Sequence, residues 1–250
     1  MTKIGILVHC RHLSTMAWED LVGGIPERDE LGDIATLTRV LLQLEPTEHA
    51  ECVVIGRGPS WKDGLDEGHY TKRFLLDNFD RLHEFPTLRH LFARLGREQV
   101  AALRATMENI IVTREIKNTV DEIETAAKLF TERGVEKVVQ ISAASHAPRC
   151  IKEQAVARAR GAIPKDQLWH TVATDMPYHG TRPEDVCVIE PLHRRDQPMT
   201  FVHPGAAEVL AGYFALPDED KKAFITLVDD FMTSRKTPRS EAAEAAGLCR

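Results

Sequence analysis

The sequence predicts a doubly wound α/β fold: a mainly parallel sheet with helices on both faces and a small helical insertion at 80–107. Three observations predict it. Short runs that are apolar on both faces, such as KIGILV at Lys3–Val8, ECVVI at Glu51–Ile55 and KVVQISA at Lys137–Ala143, read as buried strands. Longer stretches with apolar residues at helical spacing lie between them. The two kinds of segment alternate several times, and no internal repeat interrupts the pattern.

The chain has 250 residues and 43% hydrophobic content, enough to bury one sizeable core. A single domain is expected over 1–233. The stretch 234–250, whose one large apolar residue is Leu248, reads as a flexible tail. Net charge is -6, and the 32 basic and 38 acidic residues are intermixed with no basic block, so nucleic acid is not an expected partner. The start, MTKIGILVHCRH, has too short an apolar run for a signal peptide and no small-residue cleavage site. No apolar run approaches the roughly 20 residues of a membrane span. A cytoplasmic protein with no membrane partner is the expectation. The five cysteines, Cys10, Cys52, Cys150, Cys187 and Cys249, form no Cys-x-x-Cys pair and are expected to be reduced. Cys52 and Cys187 lie in apolar runs and read as core residues, while Cys10 ends the first strand.

Taken in order, strand Lys3–Val8 ends in His9-Cys10-Arg11-His12. Leu13 to Asp33, with Gly23-Gly24, Pro26 and Gly32, reads as a long irregular loop. A helix follows on Ile34, Leu37, Val40, Leu41 and Leu44, and Pro46 stops it. Strand Glu51–Ile55 runs into Gly56-Arg57-Gly58-Pro59-Ser60, and Glu67–Asn78 reads as a helix. Asp80–Met107, broken at Pro86 and Gly96, predicts two short inserted helices and a candidate lid; a solvated face accounts for their Arg and His residues. A third strand is expected at Glu108–Thr113. Thr119-x-x-Glu122 reads as a capping box opening a helix with Val120, Ile123, Ala127 and Phe130 on its buried stripe, stopped near Gly134. After strand Lys137–Ala143, Pro148 fits the first turn of a helix running to about Arg160. Fifth and sixth strands are expected at His170–Thr174 and Val186–Ile189, then helices from His203-Pro204-Gly205 through Phe214 and over Asp218–Met232.

Ligands of open parallel sheets bind at the carboxyl ends of the strands. Those ends here carry His9, Arg11 and His12; Gly56 to Ser60; Glu115 to Asn118; Ser145 to Arg149; Asp175 and Tyr178; and Glu190. Glu115, at a strand end, is the best general-base candidate, although by itself a solvated loop carboxylate is the better account of it. Asn118 and Thr119 can bind an anion with the following helix N-terminus, and capping alone also explains Thr119 and Glu122. His146 can serve as acid or base, or be structural. Arg149 can clamp a carboxylate or phosphate, or form a surface salt bridge. Gly56 and Gly58 can let a ligand approach the backbone closely, or simply form an ordinary turn. No H-E-x-x-H motif or Cys/His cluster occurs, and pairing His9 with His12, or His146 with Asp175, supplies too few ligands, so no built-in metal is expected. No G-x-S-x-G elbow is present.

The order E-x-x-x-N-T-x-x-E (Glu115, Asn118, Thr119, Glu122), then a strand, then H-x-x-R (His146, Arg149), resembles the bacterial YdcF/SanA/ElyC-like family, whose function is largely undefined. The resemblance spans roughly Ile4 to Arg160. The glycine turn at Gly56 and Gly58, with Glu67 after it, is similar to that family's Gly-rich turn and following acidic residue. Lys117 departs from the pattern, standing where a small hydroxyl residue is common. The resemblance implies a Rossmann-like sheet and a polar pocket for a small anionic, phosphorylated or nucleotide-like ligand. Glu115 and His146 would be the catalytic pair. Gly56, Gly58, Glu67, Asn118, Thr119, Glu122, Ser145 and Arg149 would bind substrate. The expected activity is that of a hydrolase or transferase; the alternative is a non-catalytic binding or sensor protein for such a ligand, S-adenosylmethionine being one.

Overall fold

The computed structural model describes residues 1–15, 17–144, 146–176, 186–189, 199–202, 215–224 and 226–227. Five strands, β1 (Thr2–Val8), β2 (Glu48–Arg57), β3 (Ile111–Glu115), β4 (Lys137–Ala143) and β5 (Leu168–Thr174), form one all-parallel sheet in the order β3-β2-β1-β4-β5. This is the strand order of a Rossmann-like α/β fold. The helices are α1 (Trp18–Gly23), α2 (Asp33–Leu42), α3 (Glu67–Asp77), α4 (Pro86–Phe92), α5 (Arg97–Glu108), α6 (Thr119–Glu132) and α7 (Ala147–Ala159).

The two-residue period of a strand divides each apolar run between two cores. Ile4, Ile6 and Val8 of β1, Val53 and Ile55 of β2 and Ile141 of β4 pack with α2, α3 and α5. Leu7, Cys52, Val54 and Val138 face the other way and pack with Ile123, Ala126, Ala127 and Phe130 of α6 and Ala157 of α7. Both faces are covered, which is why the strands read as continuous apolar runs. Gly5 shares the face of Leu7, and a Cβ there would come within 2.6 Å of the Phe130 ring.

Four expectations need correction. The stretch Leu13–Asp33 is not an irregular loop: it contains α1 and a short antiparallel ladder of Gly24–Ile25 with Glu30–Leu31. Its order follows from burial of Trp18, whose ring meets Tyr70 at 5.1 Å and Phe74 at 5.3 Å. The third strand begins at Ile111, because α5 continues through Glu108. The insertion is not merely a pair of helices added over the fold: Leu82, Phe85, Leu88, Leu103 and Met107 belong to the buried core on the α2 face. Strand β6 (Val186–Ile189) is not a sixth parallel strand; it pairs antiparallel with β7 (Met199–Val202) in a sheet of its own.

The chain divides into two compact units, Met1–Pro204 and Gly205–Arg250. In the second, residues 218–224 and 226–227 are helical. The expected helix from His203-Pro204-Gly205 through Phe214, the boundary at 233 and the tail lie outside the described residues. No helix among the described residues is long and apolar enough to cross a membrane.

Gly5→Ala is expected to lower the unfolding free energy by about 1–3 kcal/mol through overpacking against Phe130. Adding Phe130→Leu should return part of the loss relative to Phe130→Leu alone, and urea denaturation of the single and double variants measures this coupling.

Candidate functional site

The sheet order reverses between β1 and β4, so the two chains leaving their carboxyl ends part company there and open a crevice. His9, the residue after β1, sits on this seam, its backbone N–H donating to the Ile141 carbonyl of β4 at 3.0 Å. Register places its side chain on the α6/α7 face with Gly5 and Leu7. There it meets the first turns of both helices.

Glu122 stands on the buried stripe of α6, beside Thr119, Ile123, Ala126, Ala127 and Phe130. Its Oε2 lies 2.5 Å from Nδ1 of His9, and both side chains are buried. Nε2 of His9 faces Oε1 of the buried Gln140 at 3.2 Å. Gln140 spends its amide N–H groups on Gln154 Oε1 at 2.9 Å and Thr171 Oγ1 at 2.7 Å, which fixes its oxygen toward His9. Both ring nitrogens of His9 therefore donate, and the ring is an imidazolium.

The first turn of α7 completes the cluster. His146 and Cys150 are four residues apart, so they share one helix face. The Cys150 sulfur lies 3.6 Å from Nδ1 of His146 and 3.6 Å from Ser142 Oγ; that hydroxyl is 2.9 Å from the same ring nitrogen. Nε2 of His146 meets Thr119 Oγ1 at 3.4 Å. The His9 and His146 rings meet edge to face, with centroids 5.8 Å apart. Cys150 is wholly buried, and half-buried His146 lies nearer the surface.

The charges follow from these contacts. Burial opposes the Cys150 thiolate, but the charge of His9 and the hydrogen bond from His146 prevail and bring its pKa down to about 6. Burial likewise opposes His9⁺, yet Cys150 and Glu122 hold its pKa well above 6.5. Near neutral pH the row reads carboxylate, imidazolium, thiolate. Cys10 behaves oppositely. Burial, then the charges of Glu122 and Glu67, push its thiol well up, so it stays protonated.

The turn after β2 closes over these carboxylates. The β2–β3 ladder loses register at Gly56, and a side chain there would collide with Glu122. One at Gly58 would collide with the buried carboxylate of Glu67. The glycines thus let two carboxylates lie against backbone. Glu67 accepts from the Ser60 N–H at 3.0 Å and its hydroxyl at 2.6 Å, and Ser60 Oγ also accepts from the Leu13 N–H at 2.8 Å. Glu122 Oε1 is buried and lacks a hydrogen-bond donor among the described residues.

The sequence-predicted residues divide accordingly. Gly56, Gly58, Glu67, Thr119, Glu122 and His146 gather around the seam. Glu115 lies exposed at the end of the edge strand β3, three strand spacings of about 4.8 Å from β4. No hydrogen bond links its side chain to His146 among the described residues. Asn118 is exposed, Arg149 is exposed in the first turn of α7 with no ion pair among the described residues, and Ser145 lies outside the described residues. The expected capping box is corrected: Asn118 is the N-cap, its Oδ1 accepting from the Asp121 N–H at 3.0 Å, while Glu122 turns inward to His9. With Asn118 as the cap, the third helical position falls on Asp121, whose Oδ2 accepts from the Lys117 N–H at 3.1 Å, and Glu122 falls on the buried stripe. Arg11 is buried in a forked pair with Asp33, at 2.6 and 3.0 Å, and joins the loop to α2. His12 and Asp175 are exposed, and Asp175 accepts from the Leu31 N–H at 2.9 Å.

The sequence placed His9 at a strand end without its role as the hub, and gave Cys150 no role beyond a reduced thiol. Their signals were the odd register shared with Gly5 and Leu7, and the four-residue spacing from His146. Among the described residues, no group of three or more His, Cys, Asp or Glu side chains is placed to hold a metal ion.

Glu122→Gln, which strands a buried imidazolium, is expected to destabilise the fold by about 3–5 kcal/mol in chemical denaturation. A cost below about 1 kcal/mol would mean that the pair is not ionised. Cys150 has a folded pKa of about 6, below its ordinary 9.0, so its stabilising contribution is complete above about 9 and is lost as pH falls through about 6. The His9 contribution, with its pKa raised, is complete below 6.5 and is lost only as pH rises through the higher folded value. The destabilisation caused by Cys150→Ser should therefore grow as pH rises from about 6 through neutrality. A pH-independent cost in urea denaturation would contradict a buried thiolate.

No protein-family model, no characterised protein and no solved structure matches this chain. Its strand order is that of a Rossmann-like α/β fold, reversing between β1 and β4.

Proposed function

We propose that this chain is an enzyme acting on a small phosphorylated or nucleotide-like metabolite bound in the crevice between β1 and β4. One observation carries the reading. The N-termini of α6 and α7 meet at Thr119 and His146, and one turn into α6 stands buried Glu122, whose Oε1 has no donor among the described residues. Two helix N-termini favour an anion, through free N–H groups and aligned dipoles. A carboxylate oxygen in want of a donor favours a hydroxyl. A phosphate and a hydroxyl on one small molecule satisfy both, and the reverse orientation would set phosphate against Glu122.

His146 is the group for proton transfer. It lies nearest the surface of the cluster, with one ring nitrogen beside Ser142 and the other beside Thr119. Glu122 and His9 stand behind it as a fixed charge pair, a position that exposed Glu115 does not share. Arg149, in the first turn of α7, is free to reach a phosphate. Hydrolysis and group transfer both fit such a site. The resemblance to the YdcF/SanA/ElyC-like family joins Thr119, Glu122, His146 and Arg149, together with Glu115 and Asn118, and supports the assignment of this edge.

Thermal-shift titration against a panel of sugar phosphates and nucleotides, followed by product analysis of every hit, tests the proposal. A stabilising ligand that is turned over is expected, with His146→Ala lowering kcat by about 10²–10⁴-fold. Arg149→Ala should weaken binding by roughly tenfold through loss of a charged hydrogen bond. A ligand recovered unaltered would make this a binding or sensor protein, and the absence of any stabilising phosphorylated ligand would overturn the reading.

A further inference from the structure

Beyond β2 the chain folds into a tight hairpin, Trp61–Lys62 against Leu65–Asp66. Its turn residues, Asp63 and Gly64, both have positive φ, 51° and 76°. That is the backbone of a two-residue turn whose twist suits antiparallel strands. The hairpin presents Trp61 at 59% exposure, whereas Trp18 is 1% exposed and Trp169 is partly buried with its indole N–H on Gln167.

Exposure alone assigns nothing to an aromatic side chain. The surroundings of Trp61 do more. The Arg57 guanidinium carbon lies 5.6 Å from the Trp61 ring centroid. Arg57 is fixed by Asp66, Nε to Oδ2 at 2.9 Å, and Asp66 is fixed by capping α3 through the His69 N–H at 2.9 Å. The ring is thus backed by an anchored cation and open to solvent over much of its surface. Trp61 also follows Ser60 directly, and consecutive Cα atoms lie about 3.8 Å apart. Ser60 is the residue that ties the glycine turn to Glu67 and to the chain leaving β1. The aromatic surface is therefore tied, through Ser60, to the turn that follows β2 on the carboxyl edge of the sheet.

We infer that Trp61, backed by Arg57, is a stacking platform for a nucleobase, so that the ligand is a nucleoside phosphate and not a simple sugar phosphate. The inference rests on the crevice reading above and adds the identity of the group beyond the sugar. Every base offers a π-face, so the platform selects for the presence of a base more than for its type.

The test compares AMP, GMP, CMP and UMP with ribose 5-phosphate, on the full chain and on Trp61→Ala and Trp61→Phe. Tryptophan emission and thermal shift are the readouts. Nucleotides are expected to quench the wild-type emission, and ribose 5-phosphate to bind without quenching. Trp61→Ala should weaken nucleotide binding at least about fivefold, the lower end of stacking losses, and leave ribose 5-phosphate affinity unchanged. Trp61→Phe should recover part of the loss. Equal wild-type affinity for nucleotides and ribose 5-phosphate, or nucleotide affinity unaffected by Trp61→Ala, overturns the platform and leaves the crevice reading standing. Failure of all five probes and of every other phosphorylated compound to stabilise the wild type overturns the crevice reading, and the platform with it.

Discussion

A buried imidazolium needs compensating charge, and His9 finds it on two sides. Glu122 supplies a carboxylate 2.5 Å from one ring nitrogen, and Cys150 is brought to the thiolate by the same ring. Such a pair is a poor source of net stability, because removing both charges from water costs several kcal/mol. Its consequence is positional. A charge with both ring nitrogens committed cannot move without stranding its partners, so α6, α7 and the β1/β4 seam are held in one arrangement.

The same arrangement explains why glycine stands at two positions of the turn after β2. Glu122 and Glu67 each lie where a neighbouring Cβ would be. The carboxylates thereby lie against backbone, and Ser60 supplies two donors to Glu67. Cys10, placed between those negative charges, stays a thiol, whereas Cys150 beside two imidazoles ionises. Two cysteines of one fold thus differ in charge at the same pH through their neighbours alone.

Much of the fold was legible in the sequence. Strand β4 coincides with its apolar run, and β1, β2 and β5 extend theirs by a few residues at the ends. Continuous apolar runs require two covered faces, and alternation with helices then implies a parallel sheet. The site was legible in part. His146, Thr119 and Glu122 could be named from their places at strand and helix ends, yet Glu122 was read as a cap. A capping residue and a residue of the buried stripe can occupy the same turn of a helix, and Asn118, one position earlier, took the capping role. The roles of His9 and Cys150 were not legible because the partner of His9 lies 113 residues away, and Cys150, one helical turn from His146, owes its charge to His9 as well.

Local sequence therefore determined which segments become strand or helix and which polar residues fall at their ends, since side-chain periodicity and turn chemistry act over a few residues. Tertiary structure decided the rest. The pairing of β1 with β4 set His9 against Glu122, 113 residues away along the chain, and against the first turn of α7. It also decided that Trp18 closes a stretch that reads as loop, and that 186–189 pairs with 199–202 instead of joining the main sheet. Electrostatic and packing energies depend on separation in space, and only the folded chain gives residues so far apart in sequence a common location.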